Sequence, residues 1–179
     1  MDKLVLNQIT FIGEEKVLNK VIKILVSSNN SNISNLFPIP NNLQKNKVLN
    51  FSEKLKNYNK YKVTTYSDWI NTFWGNEEFG DIILINTQDK HMTFNFYSEF
   101  SDSKIILINI QKKYPKIYIK ALFQLENGDL NERFETKMIK GEVFYKINNG
   151  EFCKYVCSTK LRIEELEDKF ENQLSRNVA

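Results

Sequence analysis

Apolar and polar residues alternate from Met92 to Phe100. Met92, Phe94, Phe96 and Phe100 fall on one side, and Thr93, Asn95, Tyr97 and Glu99 on the other. A period of two over this length predicts a strand with one face on a core. Residues 116–125 repeat the pattern: Ile117, Ile119, Ala121, Phe123 and Leu125 point inward, and Lys116, Tyr118, Lys120, Leu122 and Gln124 point outward. A shorter strand is expected over Leu4–Ile12, where Ile9 and Phe11 oppose Gln8 and Thr10.

Elsewhere the period changes. Val17, Leu18, Val21, Ile22 and Leu25 recur at the spacing of an amphipathic helix, which follows Gly13 and the acidic pair Glu14-Glu15. Ser27-Ser28-Asn29-Asn30 ends it. A second helix is expected from the apolar run 105–110, capped by Ser101-Asp102 and stopped at Tyr114-Pro115. Phe37-Pro38-Ile39-Pro40 must be extended, because proline lacks an N–H donor and biases its predecessor away from helix. A helix over residues 43–58 would present Val48, Leu49, Phe51 and Leu55 as its apolar face. Trp69 opens a stretch expected to be a loop carrying Trp74-Gly75-Asn76; a strand over 82–85 and a turn at Gln88-Asp89-Lys90 lead back into the Met92 strand. Beyond Glu126-Asn127-Gly128-Asp129, one or two strands broken near Gly141 are expected over 134–147, then a turn at Asn148-Asn149-Gly150. A final helix would carry the stripe Ile163, Leu166, Phe170 and Leu174.

The order strand, helix, insertion, strand, strand, helix, strand is the split βαβ, or ferredoxin-like, arrangement. The expected fold is therefore α+β: an antiparallel sheet with a helical insertion after the first helix, extra C-terminal strands and a C-terminal helix. At 179 residues the chain has the size of one domain, with a core of about 4–128, an insertion over 29–80 and an extension over 129–179. Two helices would cover one sheet face. The other, holding Thr93, Asn95, Tyr97, Tyr118 and Lys120, would be open or covered by the insertion.

Composition adds bounds. Hydrophobic residues at 41%, with 13 Phe, suffice for a real core. No apolar run approaches ~18 residues and the N-terminus lacks a signal peptide's pattern, so a soluble protein of the cytoplasm, away from membranes, is expected. A net charge of +3 is modest for a committed duplex-DNA binder. It hides a local cluster: Lys45, Lys47, Lys54, Lys56, Lys60 and Lys62 stand against Glu53 alone between residues 41 and 66, a local net of +5. Tyr58, Tyr61 and Tyr66 are interleaved, so the segment offers phosphate contacts and stacking platforms for a single-stranded nucleic acid.

Six short motifs, in order, resemble the Api-like family, a ferredoxin-like domain of unknown function found in phage, plasmid and pathogenicity-island proteins. They are Phe11-Ile12-Gly13, Phe37-Pro38-Ile39-Pro40, Trp69 with Phe73-Trp74-Gly75, Phe94-Asn95-Phe96, Phe100-Ser101 and Tyr114-Pro115, over residues 7–128. The chain departs from the family in lacking prolines after Ser101 and in having Phe73 where Asn is usual. The resemblance implies a ferredoxin-like fold and a mobile-element origin, and no reaction.

Candidate chemistry is sparse. His91 is the single histidine and falls at a turn; Glu77, Glu78 and Asp81 suggest a charged loop; Cys153 and Cys157 have poor zinc spacing without a second pair. On a strand the two cysteines would be about 13 Å apart, too far for a disulfide. No catalytic residue, cofactor or metal is assigned. The expected function is non-catalytic: a monomer or weak dimer that docks on a host protein or ribonucleoprotein, with inhibition of a CRISPR effector as one form this could take. Trp69, Trp74, Tyr97, Tyr118 and Lys120 are its candidate contacts. The alternative is a single-stranded RNA or DNA binder using Lys45, Lys47, Lys54, Lys56, Tyr58, Lys60, Tyr61 and Lys62.

Overall fold

The computed structural model describes residues 4–27, 30–45, 47–75, 78–99, 103–125 and 131–156. The expected C-terminal helix, Cys157, the Ser101-Asp102 cap and the turn at 126–129 lie outside the described residues. Strand β1 (Leu4–Ile12) leads to helix α1 (Glu15–Leu25), a two-residue hairpin of β2 (Val26–Ser27) and β3 (Asn30–Ser31), and a 3-10 turn over Ile33–Leu36. Helix α2 (Phe51–Tyr61) follows, then α3 (Tyr66–Trp69), which continues as a π-helical turn, Ile70–Trp74. The chain then forms β4 (Ile83–Gln88), β5 (His91–Glu99), α4 (Lys104–Lys113), β6 (Tyr118–Leu125), β7 (Asn131–Ile139), β8 (Glu142–Ile147) and β9 (Cys153–Lys154).

Among the described residues this is an α+β fold with one seven-stranded antiparallel sheet, order β4-β5-β1-β6-β7-β8-β9, and three helices of ten or eleven residues. Burial alternates residue by residue along β1, with Val5, Asn7, Ile9 and Phe11 inside. Met92, Phe94 and Phe96 of β5, Ile119 and Phe123 of β6 and Phe134 of β7 share that face. Leu18, Val21 and Leu25 of α1 and Ile106, Leu107 and Ile110 of α4 close over it. No described helix is long and apolar enough to cross a membrane.

Asn7 stands fully buried among these apolar side chains. Its Nδ2 donates to Ser98 Oγ at 2.9 Å and to the Val5 carbonyl at 2.9 Å, while Oδ1 accepts from Ser103 Oγ at 2.8 Å. Ser103 is the N-cap of α4, so the network ties β1, β5 and that helix together. A buried polar group stripped of its partner costs about 1–3 kcal/mol, which makes this satisfaction necessary.

The insertion differs from expectation. Its helix begins at Phe51, not residue 43, because Asn50 caps it. Asn50 Oδ1 accepts from Glu53 N, and Glu53 Oε2 accepts from Asn50 N, both at 3.0 Å. This reciprocal pair satisfies two donors the helix cannot. Val48 is 94% exposed, Phe51 and Leu55 are largely outside, and the buried side chains of α2 are Asn57 and Tyr58. The tryptophan stretch is helical rather than a loop. Thr65 and Asp68 form a second capping box, and Gly75 N donates to the Ile70 carbonyl at 2.8 Å to close the π turn.

The Asn50 backbone amide, and then Lys47, hold the Glu53 carboxyl below its usual value of 4.5. Folding thus favours the ionised form. Its contribution is complete above that usual value and is lost as pH falls through the depressed folded-state value. A carboxyl titration by NMR is expected to place Glu53 below the usual value of 4.5. Asn50→Ala removes the Oδ1 acceptor but keeps the backbone amide, so it should cost about 1 kcal/mol while Glu53 stays below 4.5; a wild-type Glu53 that is not depressed would mean that the capping box does not persist in solution.

Candidate functional site

Alternation that buries one sheet face leaves the other uncovered among the described residues. Gln8 and Thr10 of β1, Thr93, Asn95 and Tyr97 of β5, Tyr118, Lys120 and Leu122 of β6, Arg133, Glu135 and Lys137 of β7, and Phe144 and Lys146 of β8 occupy it; none is buried. The insertion does not cover this face among the described residues. Its apolar residues Ile33, Leu36, Leu43 and Val63 join the core instead.

The register places Lys120 beside Thr10 on one strand and Glu135 on the other, and Leu122 beside Gln8 and Arg133. These six side chains line a shallow, open depression. Tyr118 donates its hydroxyl hydrogen to Glu135, whose other oxygen lies 3.2 Å from Lys146 Nζ. Glu135 is thereby occupied on both oxygens, while Lys120, Arg133 and Lys137 have no carboxylate partner among the described residues. Lys120 Nζ sits 5.7 Å from the Tyr118 ring centre. Farther along, Phe152 lies between Lys137, 3.8 Å from its ring centre, and Lys146, at 5.2 Å. Lys154 and Glu142 pair at 2.5 Å and cancel. The face is thus cationic over β6 to β8, with aromatic rings beside the charges.

The candidates from sequence are dispersed by the fold. Tyr97 and Tyr118 share the bare face, but they sit beside Leu6 and Ile12 of β1, six residues and about 20 Å apart. Lys120 lies between them. Trp69 and Trp74 are each only 8% exposed. Trp69 packs on Phe73 and edge-on to Tyr61, and Trp74 Nε1 donates to the Phe37 carbonyl at 2.9 Å. They build the core where the insertion joins it, leaving little surface for a partner.

The insertion's six lysines stay near the surface, and Lys47 pairs with Glu53 at 3.3 Å. Its tyrosines are buried or half-buried. Tyr58 is buried, and Tyr61 is edge-on against Trp69, so neither offers an open ring for a base. Arg133, Lys137, Lys146 and Phe152 were not among the sequence candidates. The alternation of Arg133, Glu135 and Lys137 with Phe134, Thr136 and Met138 is the signal that finds most of them.

His91 is exposed at the start of β5, and Asp81 and Glu78 are exposed before β4. Cys153 is a free, exposed thiol. Among the described residues, no three His, Cys, Asp or Glu side chains gather closely enough to hold a metal ion. Comparison with known proteins found no matching protein family, no matching curated protein and no matching solved structure.

Proposed function

We infer that this chain is a non-catalytic binding protein that docks, through the bare face of its sheet, on a host protein or ribonucleoprotein with an anionic surface. The observation that carries this reading is the set Lys120, Arg133, Lys137 and Lys146 around a single, already occupied carboxylate, with Tyr118 and Phe152 beside them. Cations and rings on a rigid sheet are suited to phosphate or carboxylate contacts and to stacking. The order β4-β5-β1-β6, with α1 and α4 as crossovers on one face, supports a ferredoxin-like core to which β7, β8 and β9 are additions. Together with the Api-like motifs this favours a mobile-element origin and a target in the host. A defence ribonucleoprotein such as a CRISPR effector has the required chemistry.

The second reading is direct binding of single-stranded nucleic acid. With Tyr58 and Tyr61 turned inward, the sheet face is better suited to it than the insertion. The test uses tagged protein in a bacterial lysate, with and without nuclease, alongside Lys120→Glu/Arg133→Glu. A discrete partner retained after nuclease and lost with the double variant is expected. Nothing captured, or capture indifferent to the double variant, overturns the reading. For nucleic acid alone, anisotropy of a labelled oligonucleotide should fall with salt at a log–log slope of roughly −3, about 0.7 for each of four cations. Neutralising two of them should reduce that slope by about 1.4.

A further inference from the structure

The two ends of the sheet are built differently. At one, β9 has only two residues and carries Lys154. At the other, β4 has six residues, and all are exposed. Ile83 is 59% exposed, Leu84 46% and Ile85 54%, and no charged residue lies between Asp81 and Asp89. The start of this edge is closed: Ile82 N donates to the Ser31 carbonyl at 2.6 Å, and Asn32 Nδ2 donates to the Phe79 carbonyl at 2.7 Å. From Ile83 onward nothing among the described residues pairs with it. Edges are ordinarily blunted by charge, proline or shortness, since free N–H and C=O groups template another strand. The β9 end is both short and charged, whereas β4 carries neither charge nor proline, and its irregularity is the register shift between Leu84 and Asn86.

We propose that β4 is a dimerisation edge, pairing antiparallel with β4 of a second copy about a two-fold axis through Leu84. The occupant follows from the sequence. Ile83-Leu84-Ile85 reads the same in both directions, so antiparallel pairing sets Leu84 opposite Leu84 and each Ile83 opposite Ile85 of the other chain. Beyond these three residues Ile82 N is already held by the Ser31 carbonyl, so the paired segment ends there and brings no charges together. A self-complementary patch is what an isologous interface requires, and an uncharged edge gives a charged peptide nothing to recognise. The register shift between Leu84 and Asn86 and the Ser31 bond to Ile82 confine regular pairing to a short segment. The dimer is accordingly weak and concentration-dependent.

Sedimentation velocity on the full chain, from roughly 1 to 500 µM, tests this. The wild-type dimer fraction should rise with concentration. Leu84→Lys and Ile83→Lys should each weaken dimerisation by roughly tenfold or more. Ile83→Lys/Ile85→Glu should restore it, because each lysine then faces the other chain's glutamate; Ile83→Lys/Ile85→Lys should not. All these positions are exposed, so circular dichroism and Tm should stay near wild type, separating lost pairing from lost folding. Hydrogen exchange at residues 83–86 should slow as concentration rises. A monomer at every concentration, a dimer indifferent to Leu84→Lys, or two double variants that behave alike would each overturn the proposal.

Discussion

Phe94→Ala is expected to lower stability by about 3–5 kcal/mol, the usual cost of truncating a fully buried phenylalanine. The ring has no exposed surface; it meets Phe11 edge-on with centres 5.2 Å apart and stacks with Phe96 at 6.2 Å. Its strand pairs with β1 on one side and β4 on the other, so the cavity would open between three strands and α1. Neighbours drawn from several rigid elements cannot all relax inward, and the loss should lie towards the upper end. A domain of this size has about 5–15 kcal/mol in total, so Phe94→Ala should leave a substantial unfolded population at elevated temperature. Urea denaturation followed by Trp fluorescence measures it. A loss below about 1 kcal/mol would show that the aromatic cluster is loosely packed.

The second large effect falls on Gly75. Its φ of +74° is left-handed, a region in which a side chain is strained. Space is also lacking: a Cβ there would sit 2.7 Å from Ile105 Cβ, an atom next to the backbone of α4 that no rotamer change can remove. Backbone strain of about 1–2 kcal/mol and overpacking of about 1–3 kcal/mol should make Gly75→Ala cost about 2–5 kcal/mol. Paired with Ile105→Ala, which leaves Cβ in place, the double variant should recover little of it. Recovery of most of the loss would show that the side chain beyond Cβ, not the close approach of two main chains, sets the limit.

How much of this was legible in the sequence depends on periodicity. The strands β1, β5 and β6 appear within about two residues of where alternation puts them, since one-sided burial is what writes a period of two. The turn between β7 and β8 was marked by Gly141, and Lys140 and Gly141 do adopt φ of +49° and +80°. The insertion was not legible in the same way. Its core contributors Ile33, Leu36, Leu43 and Val63 follow no helical or strand period, because each enters from a different short element. The Asn50-x-x-Glu53 and Thr65-x-x-Asp68 caps were visible and would have moved both helix starts. Tyrosine misled because the ring can pack inward while the hydroxyl seeks water, so spacing alone could not distinguish Tyr58 from a surface platform. For β4 the apolar run named a strand, but whether a strand is central or at an edge is a fact about its neighbours.

The buried amide of Asn7 has a consequence for which structure forms, apart from how stable it is. Sliding β1 by one residue against β5 would turn Asn7 outward, away from Ser98 and Ser103, and bring Leu6 or Gln8 into its place. Sliding by two would keep the face and still lose both hydroxyl partners. An all-apolar β1 would tolerate the two-residue slip far better, since one aliphatic contact can replace another. Asn7 therefore acts as a positional key: of the pairings that hydrophobicity alone would accept, it admits the one in which the amide and both hydroxyls meet.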